Sequence, residues 1–524
     1  MDLYRYICSA AKDAPDKLFL VKEKVSYADF LNLVRARAGT LSALGVKRGD
    51  AVGILARNIP EYIISAWALW FLGATVLLLD NKLTAQDFEN MAALTNAKLV
   101  LAEPKFFFDA KAFTFADITA ADKPAPADLS PAAVKDGDIA TLSFTSGSTG
   151  VPKIVPLTHA NLTSIADAME DLRPFVETGD DFMLFLPLYH IFGMAFITLH
   201  AVYYRGGVIL ETSGNPREIV QNFRTYQPRI VPAVPRIFEI IRNMIITEYK
   251  AHGTWGLAQW VLKRQKLLRF FGIKQIVRQM QWPVHEMFGR AQATLIGGGA
   301  ACKPEIIKFF EWFGFDFLQG WGLTEASGPD SVSLPHKNRV IGSVGKVVGT
   351  NKFRITDKDN KGVGKLWLRG PAVMKGYLNN PEANAKAFDG EWFNTGDLAS
   401  VDKNGEIHIH GRAKNVIVLD SGKNVYPDEL EAEYMKIEGV KNVLVIEHAI
   451  DGRTFAYGLF QIESGMTLDK LAGAIAEANK NIAPYKRVAH FAMTTEDFPS
   501  TSSGKNKHFE AKRLLEQGKY PDRR

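Results

Sequence analysis

The stretch Asn58-Ile-Pro-Glu-Tyr-Ile-Ile-Ser-Ala-Trp-Ala-Leu-Trp-Phe-Leu-Gly-Ala-Thr-Val-Leu-Leu-Leu79 decides the fold. From Tyr62 to Leu79 it is almost wholly apolar and imitates a membrane span. Two local signals oppose that reading. Asn58-Ile-Pro60 has the form of a helix start, and Gly73-Ala-Thr75 breaks the run near its middle. The pattern predicts a buried helix of about three turns followed by a strand over Thr75–Leu79.

Both flanks continue the same alternation. Tyr27 to Leu44 carries apolar residues at helical spacing, and Gly45 to Asp50 turns into an expected strand, Ala51–Ala56. A helix over Thr84–Leu94 leads to the strand Ala97–Ala102. Strands separated by helices imply βαβ units and mainly parallel sheet. Residues 118–136, rich in Ala, Asp and Pro, form a connector. The pattern resumes with a helix from about Leu162, a strand over Asp181–Leu186, a helical region over 236–290 and a strand over Ala293–Ile296. From about residue 340 the sequence becomes Gly-punctuated and alternating, as in Lys365–Arg369 and Glu406–His410, which predicts a β subdomain. After the junction Gly411–Asn415, a compact αβ pattern is long enough for a separate domain. The fold class is therefore α/β: a large N-terminal domain (1–412) of βαβ-type sheets with a β subdomain at about 340–410, and a small α+β C-terminal domain (413–524).

Composition narrows the function. The chain has 524 residues, 47% hydrophobic and 23% charged, as in an ordinary globular protein. A formal charge of +6 makes no case for nucleic acid as a partner. Cys8 and Cys302 are far apart and have no metal spacing, which fits a reducing compartment. The first residues contain no apolar signal-peptide core, so a cytoplasmic protein is expected.

Between the apolar runs Ile139–Phe144 and Ile154–Leu157 lies Thr145-Ser-Gly-Ser-Thr-Gly-Val-Pro-Lys153. Gly147 and Gly150 let successive N–H groups converge on one centre, four hydroxyls add donors, and Lys153 adds a compact cation. Such a loop suits a polyphosphate, and equally has the make-up of a polar hairpin turn. It lacks the Gly-Lys-Ser/Thr of a Walker A loop. Gly297-Gly-Gly-Ala300 would let a flat ligand approach the backbone. The aromatic region Phe182–Tyr204 reads as pocket lining or as core. Trp260–Phe271 sets Lys263, Arg264, Lys266 and Arg269 among bulky apolar groups; this fits contact with an anionic membrane face or an ordinary half-packed helix.

Five motifs stand in one order at domain-scale spacing: Ser146–Lys153, Gly320-Trp-Gly-Leu-Thr-Glu325, Asn394-Thr-Gly-Asp397, Gly411-Arg412, and Pro499-Ser-Thr-Ser-Ser-Gly-Lys505. Together they resemble the acyl- and aryl-adenylate-forming (AMP-binding) superfamily, over Tyr27 to Arg513. Within it, Val234–Phe238, the helical insertion after it and Asn415–Pro427 are similar to bacterial fatty acyl-CoA synthetases.

The resemblance implies ATP, Mg²⁺ and coenzyme A as cofactors and co-substrates, and a carboxylic acid, best a fatty acid, as substrate. Thr145, Ser146, Gly147, Ser148, Thr149, Gly150 and Lys153 would form the loop over the β- and γ-phosphates. Trp321 stands where the family usually has tyrosine against adenine, beside Gln319 and Gly320. Gly298, Gly299 and Ala300 would line the adenine and acyl groove. Thr324 would bond the α-phosphate and Glu325 would hold the metal. Asp397 would accept the ribose hydroxyls, with Arg412 beside it. His190 would stand by the reacting carboxylate, Phe238 would gate an acyl tunnel, and Lys505 would reach the carboxylate and α-phosphate. Lys414 would be the hinge about which the small domain turns.

A carrier protein in place of coenzyme A, an aryl or other small carboxylate in place of the fatty acid, and a non-catalytic nucleotide-binding protein are the alternatives. The basic helix at about 260–278 is the candidate for peripheral contact with the inner face of the membrane. Val418 replaces the lysine that luciferases use in their second step, against that chemistry.

Overall fold

The structure, a computed structural model, describes all residues except 1, 107–111, 125, 146–151, 213–214, 290–292, 337–338, 421–422, 452, 501–505, 521 and 524. The chain divides into two compact units, residues 1–352 with 368–393, and residues 353–367 with 394–524.

In the first unit the apolar stretch folds as the helix Pro60–Phe71 and the strand Thr75–Leu78. Pro60 takes the first helical position, where a missing N–H costs nothing. Gly73, at φ +68°, turns the chain out of the helix, and a Cβ there would stand 3.0 Å from the Ala132 side chain. Every residue from Tyr62 to Phe71 is buried, as a helix apolar on all sides requires. Two of its polar side chains are answered inside the protein: Trp70 Nε1 donates to the Ala140 carbonyl at 2.9 Å, and the Ser65 hydroxyl accepts from Arg37 at 2.6 Å. The buried Arg37 guanidinium donates to Ser65, Thr119 and Asp122. Among the described residues no helix is long and apolar enough to cross a membrane.

The Thr75–Leu78 strand lies inside a six-stranded sheet, in the order Ala112–Thr114, Leu99–Ala102, Ala51–Leu55, Thr75–Leu78, Ile139–Thr145, Lys153–Thr158. All neighbours run parallel except the last pair, an antiparallel hairpin with Thr145 opposite Lys153. The expected βαβ units are therefore present, and the Gly/Ser/Thr loop joins two strands of one hairpin.

A nine-stranded sheet completes this unit. Four of its neighbouring strands run parallel, in the order Phe182–Leu184, Ile230–Ala233, Thr294–Gly297, Asp316–Leu323. The last turns back as the antiparallel partner Gly328–Ser333. The first is shorter than the expected Asp181–Leu186, because the Asn58 side chain takes over the backbone beyond it. Asn58 Nδ2 donates to the Leu186 carbonyl at 2.8 Å, and Leu188 N–H donates to Asn58 Oδ1 at 2.9 Å. The helix expected from about Leu162 starts at His159, where Thr158 and Asn161 form a capping box. The helical region 236–290 resolves into Pro235–Ala251, Trp255–Lys263, Gln265–Phe270 and Lys274–Met287.

The second unit is α+β. Strands Val440–Ile450 and Arg453–Ile462 pair antiparallel, and His490–Thr494 pairs parallel to the latter. Their alternation buries two faces. Val443, Val445 and Phe460 pack with the helices Pro427–Tyr434 and Leu468–Asn479, while Leu444, Leu459 and Tyr457 pack with His508–Glu516. The antiparallel pair Trp392–Val401 and Ile407–Arg412 sets Asp397 opposite Arg412.

Candidate active site

In open α/β sheets, ligands bind beyond the carboxyl ends of the parallel strands. The four adjacent strands of the larger sheet deliver their following loops there together. Phe182–Leu184 leads to His190, Ile230–Ala233 to the helix bearing Phe238, and Thr294–Gly297 to Gly298–Ala300. Asp316–Leu323 carries Gln319, Gly320 and Trp321 and ends in the 3-10 turn Thr324–Ala326. Parallel register sets Gly297 beside Gln319.

The glycines are needed for close packing. A Cβ on Gly298 would stand 2.7 Å from the Phe192 ring, so the His190 loop lies against this strand end. Gly299, at φ +78°, is exposed, as is Ala300. Gln319 is buried; its Nε2 donates to the Gly320 carbonyl at 3.2 Å, while among the described residues Oε1 has no partner. A buried acceptor left open costs about 1–3 kcal/mol. An amino donor entering beside Gly297 and Ala300 would relieve it, which suits an adenine ring.

Glu325 is half-buried, and the Tyr377 hydroxyl donates to its Oε1 at 2.9 Å. The same phenol ring carries the Lys153 ammonium, 4.6 Å from its centroid. The segment bearing Tyr377 is fixed at several points. Met374 N–H donates to the Glu325 carbonyl at 2.8 Å, Leu378 N–H to the Ile154 carbonyl at 3.0 Å, and Asn161 Nδ2 to the Pro371 carbonyl at 2.7 Å. Lys153 and Glu325, far apart in sequence, are thus joined through one tyrosine. Sequence reasoning missed Tyr377; nothing local marks it, because its partners lie on two other elements. Thr145 ends its strand and Thr324 starts the turn, both half-buried. One carboxylate with neutral support fits a hard cation that keeps water and phosphate oxygens for its other ligands.

Phe238 is fully buried, edge-on to the Phe310 and Phe317 rings, within the core of this unit. His190 is half-buried with its ring 4.7 Å from that of Tyr189. Ser146, Gly147, Ser148, Thr149, Gly150 and Lys505 lie outside the described residues.

In the second unit Asp397 is buried, and Arg412 Nε approaches its Oδ1 at 3.2 Å. Arg412 also donates to the Thr395 carbonyl at 2.8 Å, and the Thr395 hydroxyl accepts from Asp397 N–H at 3.0 Å. Behind this pair, Asp428 presses on the backbone: a Cβ on Gly411, at φ +127°, would lie 2.0 Å from its Oδ2. Burial, then the neighbouring Glu431, pushes the Asp428 carboxyl up to about 6. Burial is the largest single influence on His508 and depresses it, but the 2.7 Å hydrogen bond to Glu431 together with the charges of Glu431 and Asp428 outweighs burial, and the net shift is upward. Lys414 lies exposed in the turn Ala413–Asn415.

Known proteins share this architecture. The chain is 28% identical over 479 residues to a long-chain-fatty-acid–CoA ligase, FadD15, of Mycobacterium bovis, covering 84% of this chain and 77% of that protein. It is 28% identical over 501 residues to a feruloyl-CoA synthase of an Amycolatopsis species, covering 92% of each. Among solved structures, o-succinylbenzoate CoA synthetase of Bacillus subtilis with its acyl-adenylate intermediate superposes with a TM-score of 0.79 at 21% identity, covering 97% of each chain. The same enzyme with ATP and magnesium ion gives 0.78, over 97% of this chain and 99% of that one. The family description for AMP-binding enzymes matches residues 8–378, most of the chain, and the protein belongs to that family.

Proposed function

We propose that this protein is an AMP-forming acid–thiol ligase that activates a carboxylic acid, best a fatty acid, with ATP and passes the acyl group to coenzyme A. The observation that carries the reading is the Lys153–Tyr377–Glu325 arrangement, a cation and a carboxylate held on one ring at the mouth of the Gly/Ser/Thr loop. In the first half-reaction a carboxylate oxygen attacks the α-phosphorus, the bond to the bridging oxygen breaks, and pyrophosphate leaves. In the second a thiol sulfur attacks the acyl carbon and AMP leaves. Two anions must meet in the first step, so fixed positive charge and oriented donors lower its barrier.

In this reading Lys153 neutralises the departing phosphates. Thr324 donates to the α-phosphate, and Tyr377 orients the Glu325 carboxylate. Gln319 Oε1 accepts from the adenine amino group. Magnesium, held by Glu325 with phosphate oxygens, would supply Lewis-acid charge neutralisation when bound. Asp397 takes the ribose hydroxyls and Lys505 acts on the reacting carboxylate. Residues 413–524 turn about Lys414 between the half-reactions. The enzyme works in the cytoplasm, touching the membrane through its basic helical region.

The test is a carboxylate panel varied in chain length and including aryl acids, assayed for acid-dependent ATP–pyrophosphate exchange and for AMP release with coenzyme A or a phosphopantetheinylated carrier. Long-chain acids with coenzyme A are expected to give the highest rates. A preference for aryl acids would support the second reading, suggested by the feruloyl-CoA and o-succinylbenzoate relatives. No exchange with any acid would overturn the enzymatic reading.

A further inference from the structure

We propose that the turn joining the helices Gln265–Phe270 and Lys274–Met287 inserts into the headgroup layer of an anionic lipid surface. This deepens the membrane-contact part of the proposed function and rests on that reading for its biological sense.

The helices Trp255–Lys263 and Lys274–Met287 bury one side, through Ala258, Val261, Leu262, Val277 and Val284, while Gln265–Phe270 between them buries no residue. An ordinary surface helix would then show water a polar outer face. Here the outer face is apolar at its tip. Within seven residues Phe270 is 82% exposed, Phe271 67%, Leu267 55% and Ile273 46%. Trp260 and Trp282 flank them, 49% and 65% exposed. Exposed apolar residues scattered singly need no explanation, but a run of bulky ones does.

The charge pattern says what covers the tip. From Trp255 to His285 there is no acidic residue, while Lys263, Arg264, Lys266, Arg269, Lys274 and Arg278 are all exposed. This one segment carries as much net positive charge as the whole chain, +6. Among the described residues none of these six forms an ion pair. Arg264 lies 5.1 Å from the Trp260 ring centroid, a cation and an aromatic side by side, as suits a membrane interface.

Three occupants could cover an apolar tip, and two fit poorly. A second copy docking through the same patch would set like charges face to face. A nucleic-acid backbone would answer the cations but leave the phenylalanines in water. An anionic bilayer answers both, with acyl chains for Leu267, Phe270, Phe271 and Ile273 and headgroups for the cations above them. A surface-bound ligase would meet a fatty acid where that acid partitions.

The test is flotation of the full chain with phosphatidylcholine vesicles, and with vesicles containing roughly one-third phosphatidylglycerol, without substrate. Each cation near such a surface is worth about fivefold in partitioning. The protein is expected to float with the anionic vesicles, at least about tenfold less with the neutral ones, and less at high salt. Phe270→Ser with Phe271→Ser, and separately Lys266→Glu with Arg269→Glu, should each cut flotation more than about tenfold. Both pairs are exposed, so melting temperature and ligation of a short, soluble acid should stay as in the parent. Equal binding to both vesicle types, no binding, or variants that float like the parent would overturn the proposal. So would a concentration-dependent dimer, seen by sedimentation, that the phenylalanine variant abolishes. Vesicle binding in a protein that ligates no acid would leave the lipid contact standing and sink the ligase reading instead.

Discussion

Two hairpins each carry one of the motif carboxylates, and the protein treats these two differently. In the first unit Glu325 follows the strand Asp316–Leu323, half-buried, and takes a hydrogen bond from the neutral Tyr377 phenol. In the second unit Asp397 lies buried on Trp392–Val401 with the Arg412 guanidinium opposite it across the ladder. A phenol steadies a carboxylate without cancelling its charge, so Glu325 keeps its attraction for a cation. A guanidinium neutralises its partner, and the pair then offers oriented lone pairs more suited to hydroxyls than to a metal. Two acids read alike from sequence motifs are thereby set for different tasks.

The sharpest way to break this contrast is Glu325→Gln. The substitution keeps the shape and removes the charge, so kcat should fall about 10²–10³-fold, as when one transition-state electrostatic contact is lost. Melting temperature should hardly move, because the residue is half-buried and its phenol partner can still donate to the amide oxygen. A rate within about threefold of the parent, with unchanged magnesium dependence, would show that Glu325 needs no charge and would erase the difference from Asp397.

Tyr377→Phe should have a smaller effect. It deletes the hydrogen bond to Glu325 but leaves the ring on which Lys153 rests. A hydrogen bond to a charged group is worth about 1.5–3 kcal/mol, so kcat/KM should drop roughly ten- to a hundredfold. Tyr377→Leu, which also removes the ring, should lose more. Equal losses in the two variants would mean that the phenol oxygen alone matters and that Lys153 is not positioned through this residue.

Much of this was legible in the sequence, and for local reasons. The apolar stretch 62–79 announces a buried helix and strand because Pro60 and Gly73 are punctuation whose effect reaches only a residue or two. The parallel sheet follows from alternating periods of 3.6 and 2 residues. Tyr377 was not legible, because its partners Glu325 and Lys153 come from elements separated by long stretches of chain. Nor was the end of the Phe182–Leu184 strand, set by the side chain of the distant Asn58. Gly298 was legible as a glycine but not for its reason, since the close neighbour is the Phe192 ring. Local chemistry reads from sequence; long-range hydrogen bonds and ring contacts do not.

The smallest expected effect lies behind Asp397. Arg412 there has a second carboxyl nearby, that of Asp428, pushed up to about 6 by burial first and then by Glu431. The folded protein therefore holds this proton more tightly than the unfolded chain. Its stabilising contribution is complete below pH 3.8 and is lost as pH rises to about 6. His508 acts in the same direction at higher pH: raised above 6.5, it stabilises below that value and ceases to as pH passes its folded value. Glu429 acts oppositely. Held down to about 2 by its hydrogen bond with His410 and by Lys486, it stabilises above 4.5 and stops doing so as pH falls towards 2. Asp428→Asn isolates the first effect, since an amide cannot titrate. The parent's melting temperature minus that of the variant should shrink by a few degrees between pH 3.8 and about 6, with Glu429 contributing equally to both proteins and the part of His508's rise that the Asp428 charge supplies lost in the variant. A flat difference across that interval would mean that the Asp428 carboxyl has no raised affinity for its proton. The second hairpin would then be a single ion pair rather than one member of a charged cluster, much closer in character to the first.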